Sequence, residues 1–143
     1  MTTRARLTLI AAACAGAMTL SAPALAATVN LKADLKAATE VPPTESKGTG
    51  SVTATFDTTS KQLTWKGNVS GLTGPATAAH FHAGEPGKNG AVVIPISGAD
   101  KGTFEGSATL TDAQASDLMA GKWYVNVHTA TNKAGEIRGQ VTK

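Results

Sequence analysis

The chain has 143 residues, with 13 Lys and Arg against 10 Asp and Glu, and a single cysteine. A chain of this length forms one domain with a modest hydrophobic core. Its basic residues form no cluster along the sequence, so nothing indicates a nucleic-acid partner. The sequence also has no phosphate-binding loop, no dinucleotide-binding glycine pattern and no nucleophile-elbow serine. These absences exclude the enzyme classes that are read most directly from sequence.

Residues 1–26 have the three-part layout of a secretory signal peptide. Arg4 and Arg6 supply the positive start, residues 7–20 are apolar and uncharged, and the segment ends in small residues at Ala26. The apolar run is too short for a stable membrane span, although a short N-terminal anchor is the alternative. We expect cleavage after Ala26, which leaves residues 27–143 in the bacterial periplasm or outside the cell. Cys14 is lost with the leader, so no disulfide is expected.

Apolar residues after position 26 repeat at every second position, the pattern of half-buried strands. The pattern and its turns predict about eight short strands, over residues 29–35, 52–56, 63–69, 77–81, 91–96, 102–110, 122–129 and 136–142. Thr111 and Gln114 form a capping box that predicts one short helix over about residues 111–120, ended by Gly121. The expected fold is all-β: an antiparallel sandwich or barrel of one domain, residues 27–143.

The three histidines, His80, His82 and His128, are the residues best suited to chemistry. Side chains two apart on a strand share a face, so His80 and His82 can converge on one ion while Phe81 points into the core. His128 ends a strand whose apolar residues alternate with Tyr124, Asn126 and His128, which predicts that all three histidines lie on polar, outward faces. Three imidazoles with an open position suit one copper or zinc ion. Two solvated histidines are the alternative interpretation of the His-x-His pair.

Further polar residues are candidates to support or serve this site. Glu85, in the glycine-rich loop after the pair, is a candidate fourth ligand or a partner that orients an imidazole, and a solvated loop acid is the alternative. Tyr124 and Asn126 share the predicted His128 face. Glu136 and Arg138 share a face of the last strand, and Arg138 on the His128 side would steer an anion. A cross-strand ion pair of Glu136 with Arg138 is the alternative, since the register is open.

Four ordered motifs resemble those of the CHRD domain, a family named from chordin that includes stand-alone secreted microbial proteins. They are Glu40-Val41-Pro42-Pro43, His80-Phe81-His82-Ala83-Gly84 with Asn89-Gly90, the segment from Ala120 to Thr129, and the segment from Gly135 to Val141. The resemblance runs from about Leu31 to Val141. It implies an immunoglobulin-like β-sandwich in an extracytoplasmic setting and includes all three histidines. It implies no activity, because microbial members mostly lack an assigned role.

A looser likeness links the chain to copper–zinc superoxide dismutase, a β-sandwich with a strand-borne His-x-His pair on copper and an arginine nearby. The chain has too few histidines for a two-metal site and no zinc loop, so the likeness is one of fold alone. Three functions therefore stay open: a secreted module that binds copper or zinc, an adhesion module with an extracellular protein partner and no metal, and a mononuclear copper enzyme of dismutase type. No transmembrane span is expected after cleavage of the leader.

Overall fold

The computed structural model describes residues 27–143; the predicted leader and Cys14 lie outside the described residues. The described chain contains eight strands and one α-helix, α1, at Asp112–Met119. The strands, numbered β1 to β8, are Thr28–Lys36, Thr49–Asp57, Gln62–Ser70, Ala76–Ala83, Ala91–Ile96, Thr103–Thr109, Trp123–Thr129 and Ile137–Gln140. The all-β prediction, the strand number and the short helix are confirmed.

The eight strands form one antiparallel sheet in the order β5-β4-β7-β8-β1-β2-β3-β6. The sheet curls until its two halves face each other, which makes it nearly a barrel. Trp65 of β3 and Phe81 of β4 meet inside it, edge to face, with ring centroids 5.2 Å apart. The predicted sandwich is therefore a single folded-over sheet, and β7 lies between β4 and β8 in it.

The interior is filled by the alternating apolar residues that the sequence pattern singled out. Phe56, Leu63, Trp123, Val125 and Val127 are all buried. Burial of one large apolar side chain contributes about 1.5–3 kcal/mol, so this alternation supplies much of the free energy of folding. Because β7 directs its odd-numbered residues inward, Tyr124, Asn126 and His128 face the opposite way.

Helix α1 connects β6 to β7 and begins at the predicted capping box. The Thr111 hydroxyl accepts the Gln114 amide proton, and the Gln114 side chain accepts the Thr111 amide proton. The helix packs Leu118 into the core, and Gly121 follows it with φ of 72°, a conformation that favours glycine. No helix within residues 27–143 is both long and apolar enough to cross a lipid bilayer.

The polar face of β7 points away from the core, as predicted, but it is not wet. Tyr124, Asn126 and the neighbouring Arg138 of β8 are all buried. Two chain segments cover them, residues 37–44 after β1 and the loop 84–90 after β4. Asn89 ties the two covers together by donating to the Val41 carbonyl over 3.0 Å. The expectation of an open, solvated face was wrong here, because local alternation does not reveal a covering segment that is distant in sequence.

Candidate metal centre

The sheet register brings the three histidines together. On the paired strands β4 and β7, His80 lies opposite Asn126, His82 lies opposite Tyr124, and Ala78 lies opposite His128. His128 is therefore the diagonal neighbour of His80, a separation that long and aromatic side chains bridge. The sequence predicted the shared face, and the β4–β7 pairing, which it did not give, completes the cluster.

The ring nitrogens of the cluster are close enough to hold one ion. His80 Nδ1 and His128 Nε2 are 3.2 Å apart, and one nitrogen from each of the three rings lies within 4.8 Å of the others. Two nitrogens bound tetrahedrally at ~2.0–2.1 Å from one zinc ion would lie about 3.3 Å apart. One pair already has this spacing, and the third ring needs to move by no more than about 1.5 Å to reach it.

Backbone carbonyls fix which nitrogen two of these rings offer. His82 Nδ1 donates to the Gly90 carbonyl over 2.9 Å, and His128 Nδ1 donates to the Lys133 carbonyl over 2.9 Å. Because a carbonyl only accepts, the proton of each neutral ring is on Nδ1 and the lone pair is on Nε2. Metal-binding histidines are oriented in this way, by a hydrogen bond from the nitrogen that does not bind the metal.

The free nitrogen of His82 is the least satisfied atom of the cluster. His82 is buried, and its Nε2 has no hydrogen-bond partner among the described residues. Asn126 Oδ1 and Glu40 Oε1 are likewise buried without a partner. A buried polar atom without a partner costs about 1–3 kcal/mol. These three acceptor atoms would therefore be stabilised by a bound cation or by a hydrogen-bond donor.

The surroundings keep two of the imidazoles neutral. Burial lowers the pKa of His80 below its ordinary value of 6.5, and its interactions with the neighbouring rings of His128 and His82 lower it further. Burial also lowers the pKa of His82 and outweighs the Gly90 hydrogen bond, which raises it. A neutral ring keeps the lone pair that a metal needs. The burial that disfavours imidazolium therefore favours ligand chemistry near neutral pH.

Tyr124 and Arg138 support His82 from the side. The phenol ring stacks on the imidazole with centroids 4.7 Å apart and planes at 6°. The Arg138 guanidinium carbon lies 3.4 Å from the centroid of the same phenol ring. Because β7 lies between β4 and β8, the imidazole and the guanidinium approach the phenol from opposite sides. Asn126, Tyr124 and Arg138, all candidates from sequence, thus lie at the site.

Arg138 holds the covering loop rather than facing solvent. Its guanidinium donates to Asn89 Oδ1 over 3.1 Å and to the Lys88 carbonyl over 2.6 Å. These contacts fix the position of the end of the loop 84–90, where the Gly90 carbonyl accepts the Nδ1 proton of His82. Register puts Arg138 opposite Asn126, on the histidine side. The β7–β8 register, which the sequence left open, thus places Arg138 on the side of the histidines. Its guanidinium N–H groups, which were expected to steer an anion, instead donate to the loop 84–90.

The two remaining candidate acids lie elsewhere. Glu85 is exposed and pairs with Lys88 over 3.1 Å, which agrees with a solvated loop acid. Glu136 precedes β8, and its carboxylate accepts hydrogen bonds from Thr73, Thr129 and Ser46, not from Arg138. Burial raises the pKa of Glu136, but hydrogen bonds from Ser46, Thr129 and Thr73 outweigh it and lower the pKa to about 2. The alternative of a Glu136–Arg138 ion pair was wrong.

Sequence reasoning missed Glu40 as a residue of the site. Glu40 is buried, and desolvation raises the pKa of its carboxyl despite the lowering effects of the Val41 amide, the Arg138 charge and the Asn126 side chain. An acid before two prolines was noted only as part of a family motif. The presence of a charged residue in this motif was the one signal in the sequence that could have indicated a role for Glu40.

The comparison with known families agrees with this geometry. A family model described as the CHRD domain matches residues 31–141, from β1 to just beyond β8. The match includes the three histidines and both segments that cover them. Searches among curated proteins and among solved structures gave no match. The family model covers well over half of the chain, and the chain therefore belongs to the CHRD domain family.

Proposed function

We propose that this protein is an exported CHRD module that binds one copper or zinc ion through His80, His82 and His128. The observation that carries the proposal is the fixed tautomer of two rings. The Gly90 and Lys133 carbonyls hold the protons of His82 and His128 on Nδ1, so that both Nε2 lone pairs belong to the cluster. His128 Nε2 accepts the His80 Nδ1 proton in this structure, and an ion would take the place of that proton. Solvated histidines have no need of such partners.

The buried Nε2 of His82 argues against a cluster that serves packing alone. A structural histidine in a buried position normally uses both ring nitrogens in hydrogen bonds. His82 uses Nδ1 and leaves Nε2 without a partner among the described residues. Binding of an ion at this nitrogen would offset a desolvation cost of about 1–3 kcal/mol. Metal binding would thus explain why His82 Nε2 is buried without a hydrogen-bond partner.

The donor set supports zinc(II) or copper(II). Imidazole nitrogens suit both ions, and a site with three such protein ligands leaves room for a further one. The cluster contains no thiolate, and its three members are all histidines. Softer ions such as copper(I) are bound more tightly where thiolate or thioether ligands are present. A dismutase-type reaction gains no support from Arg138, whose donors are directed at the loop 84–90.

An extracytoplasmic location supports the same function. The family is of extracellular type, and residues 1–26 have the layout of a signal peptide. Strand β1 begins at Thr28, directly after the proposed cleavage site at Ala26. The mass of the protein recovered from the periplasm or the medium tests this, because cleavage after Ala26 gives a chain that starts at Ala27.

Metal titration of the protein that starts at Ala27 tests the central proposal. We expect one equivalent of Cu(II) or Zn(II) to bind more tightly than micromolar, and His82→Ala to weaken binding at least about tenfold. Glu85→Gln is the matched control, since this exposed acid lies in the neighbouring loop outside the cluster. If neither metal binds at micromolar concentration, or if His82→Ala binds as the wild type does, an adhesion module with hydrogen-bonded histidines is the better description.

A further inference from the structure

Asn126 occupies the centre of the polar face that carries the histidines. It lies opposite His80 on β4 and opposite Arg138 on β8, and it precedes His128 by two residues on β7. Its side chain also lies beside the ring of His82. Asn126 is buried, with 3% of its surface exposed, and Oδ1 has no partner among residues 27–143.

The surroundings of Gly135 indicate the orientation of the Asn126 amide. A Cβ atom on Gly135 would lie 2.3 Å from Glu40 Oε1 and 2.9 Å from Asn126 Nδ2. The two polar groups therefore share the space that the glycine leaves open. The amide nitrogen of Asn126 is thus on the side of the Glu40 carboxylate. With Nδ2 on the Glu40 side, Oδ1 is directed at the histidines.

Two acceptor atoms on this buried face thus lack a donor. His82 Nε2 carries a lone pair because its proton is on Nδ1, and Asn126 Oδ1 carries lone pairs by its chemistry. Both atoms are buried and without a partner. A cation bound by both atoms would offset the cost of burying two acceptors without donors.

We infer that Asn126 Oδ1 is a fourth protein ligand of the ion bound by His80, His82 and His128, and that Glu40 is its positioning residue. This inference rests on the proposed function, and it adds to it an oxygen ligand on the buried side of the site. Glu40 lies on the side of the amide nitrogen and would attract it, which leaves the oxygen toward the ion. A neutral oxygen ligand suits zinc(II) and copper(II) better than copper(I). Access from solvent is left to the side of His80 and His128, which are partly exposed.

Side-chain amide resonances test the inference without any substitution. In the ¹⁵N-labelled protein that starts at Ala27, saturation with zinc should shift the Asn126 Nδ2 resonances several times further than those of Asn30 and Asn68. These two asparagines lie on β1 and β3, in the other half of the sheet. Equal shifts at all three residues would overturn the inference. So would an amide that donates to His82 in the zinc-bound protein, because the oxygen would then face Glu40.

Substitution at the same position gives an independent test by Cu(II) binding and electron paramagnetic resonance. Asn126→Leu keeps the shape and removes the oxygen, so we expect affinity to fall at least about tenfold and the copper spectrum to change. Asn126→Asp combined with Glu40→Gln keeps an oxygen for the ion and exchanges donor and acceptor between the two positions, so the double variant should bind at least as tightly as the wild type. Asn68→Leu is the control, with no effect expected.

The failures of the two proposals are distinguishable. If Asn126→Leu folds and binds Cu(II) with wild-type affinity and spectrum while His82→Ala does not, only the ligand role of Asn126 is wrong. If wild type itself binds no metal, the site as a whole is wrong. Should Asn126→Leu fail to fold, the comparison of the double variant with Glu40→Gln alone decides. Glu40→Gln alone should weaken binding and the double variant should not, and the reverse order would contradict the inference.

Discussion

The imidazole of His82 lies flat against the phenol ring of Tyr124, with an angle of 6° between the ring planes. The phenol oxygen accepts the Gly90 amide proton over 3.1 Å, and the Gly90 carbonyl accepts the His82 ring proton. One tyrosine therefore fixes both the plane of the imidazole and the residue that sets its tautomer. Tyr124 and Gly90 therefore orient the His82 ring in addition to packing against it.

Substitution of Tyr124 separates these two contributions. Tyr124→Phe keeps the stacked ring and loses the Gly90 hydrogen bond, so the free energy of unfolding should fall by about 0.5–1.5 kcal/mol, and metal affinity should fall less than in Tyr124→Ala. Tyr124→Ala removes a buried ring, and we expect a loss of about 3–5 kcal/mol. Urea unfolding and zinc titration of both variants measure the effects. Equal metal affinity in Tyr124→Ala and wild type would contradict the orienting role.

Arg138 should not be replaceable by lysine. Its guanidinium reaches Asn89, the Lys88 carbonyl and the Tyr124 ring at once, which a single ammonium group does not reproduce. We expect Arg138→Lys to lower the free energy of unfolding by about 1–3 kcal/mol per donor lost and to weaken metal binding. Lys88→Ala, which removes an exposed ammonium group from the same loop, is the control. A stability equal to wild type in Arg138→Lys would show that the loop is held by other contacts.

Gly90 is the loop residue least able to accept a side chain. A Cβ at this position would lie 1.6 Å from the Ala83 carbonyl oxygen, so Gly90→Ala must displace the loop and with it the carbonyl partner of His82. We expect lower stability and at least about tenfold weaker metal binding. In Gly74→Ala, where nothing lies within 4 Å of the new Cβ, neither quantity should change. Thermal unfolding with and without zinc compares the two variants.

Glu136 should make stability depend on acidity. Its pKa is about 2 in the folded protein, against an ordinary value of 4.5. A lowered folded-state pKa stabilises the fold above about pH 4.5, and this stabilisation is lost as the pH falls toward 2. In Glu136→Gln, the deficit in unfolding free energy relative to wild type should therefore be about 2 kcal/mol smaller at pH 3 than at pH 7. A deficit that is equal at the two pH values would show that the carboxylate charge contributes nothing.

The strands and the helix were predictable because their signals are local. Alternation places Trp123, Val125 and Val127 in the core, and the capping box at Thr111 needs only residues within one helical turn. The same alternation predicted that the three histidines lie on the polar, outward faces of their strands. Strand order was not predictable, because it depends on pairing between distant segments, and neither was the closure of the sandwich into one curled sheet.

The covered environment of the site was also beyond local reasoning. Tyr124, Asn126 and Arg138 follow the alternation of polar surface residues, and nothing near them in sequence indicates the cover. Their burial depends on the loop 84–90 and on residues 37–44, and the latter precede β7 by about eighty positions. Glu40 belongs to that cover, which is why its contact with the Asn126 side chain emerges only from the fold.

Counting the imidazole ligands of the copper-loaded protein tests the central claim most directly. Pulsed electron paramagnetic resonance of the Cu(II) form, together with extended X-ray absorption at the copper edge, reports the number of coordinated histidines. We predict three imidazoles in the wild type and two in His82→Ala, His80→Ala and His128→Ala alike. A single imidazole in the wild type, or a count that any one of these substitutions leaves unchanged, would contradict a shared site of His80, His82 and His128.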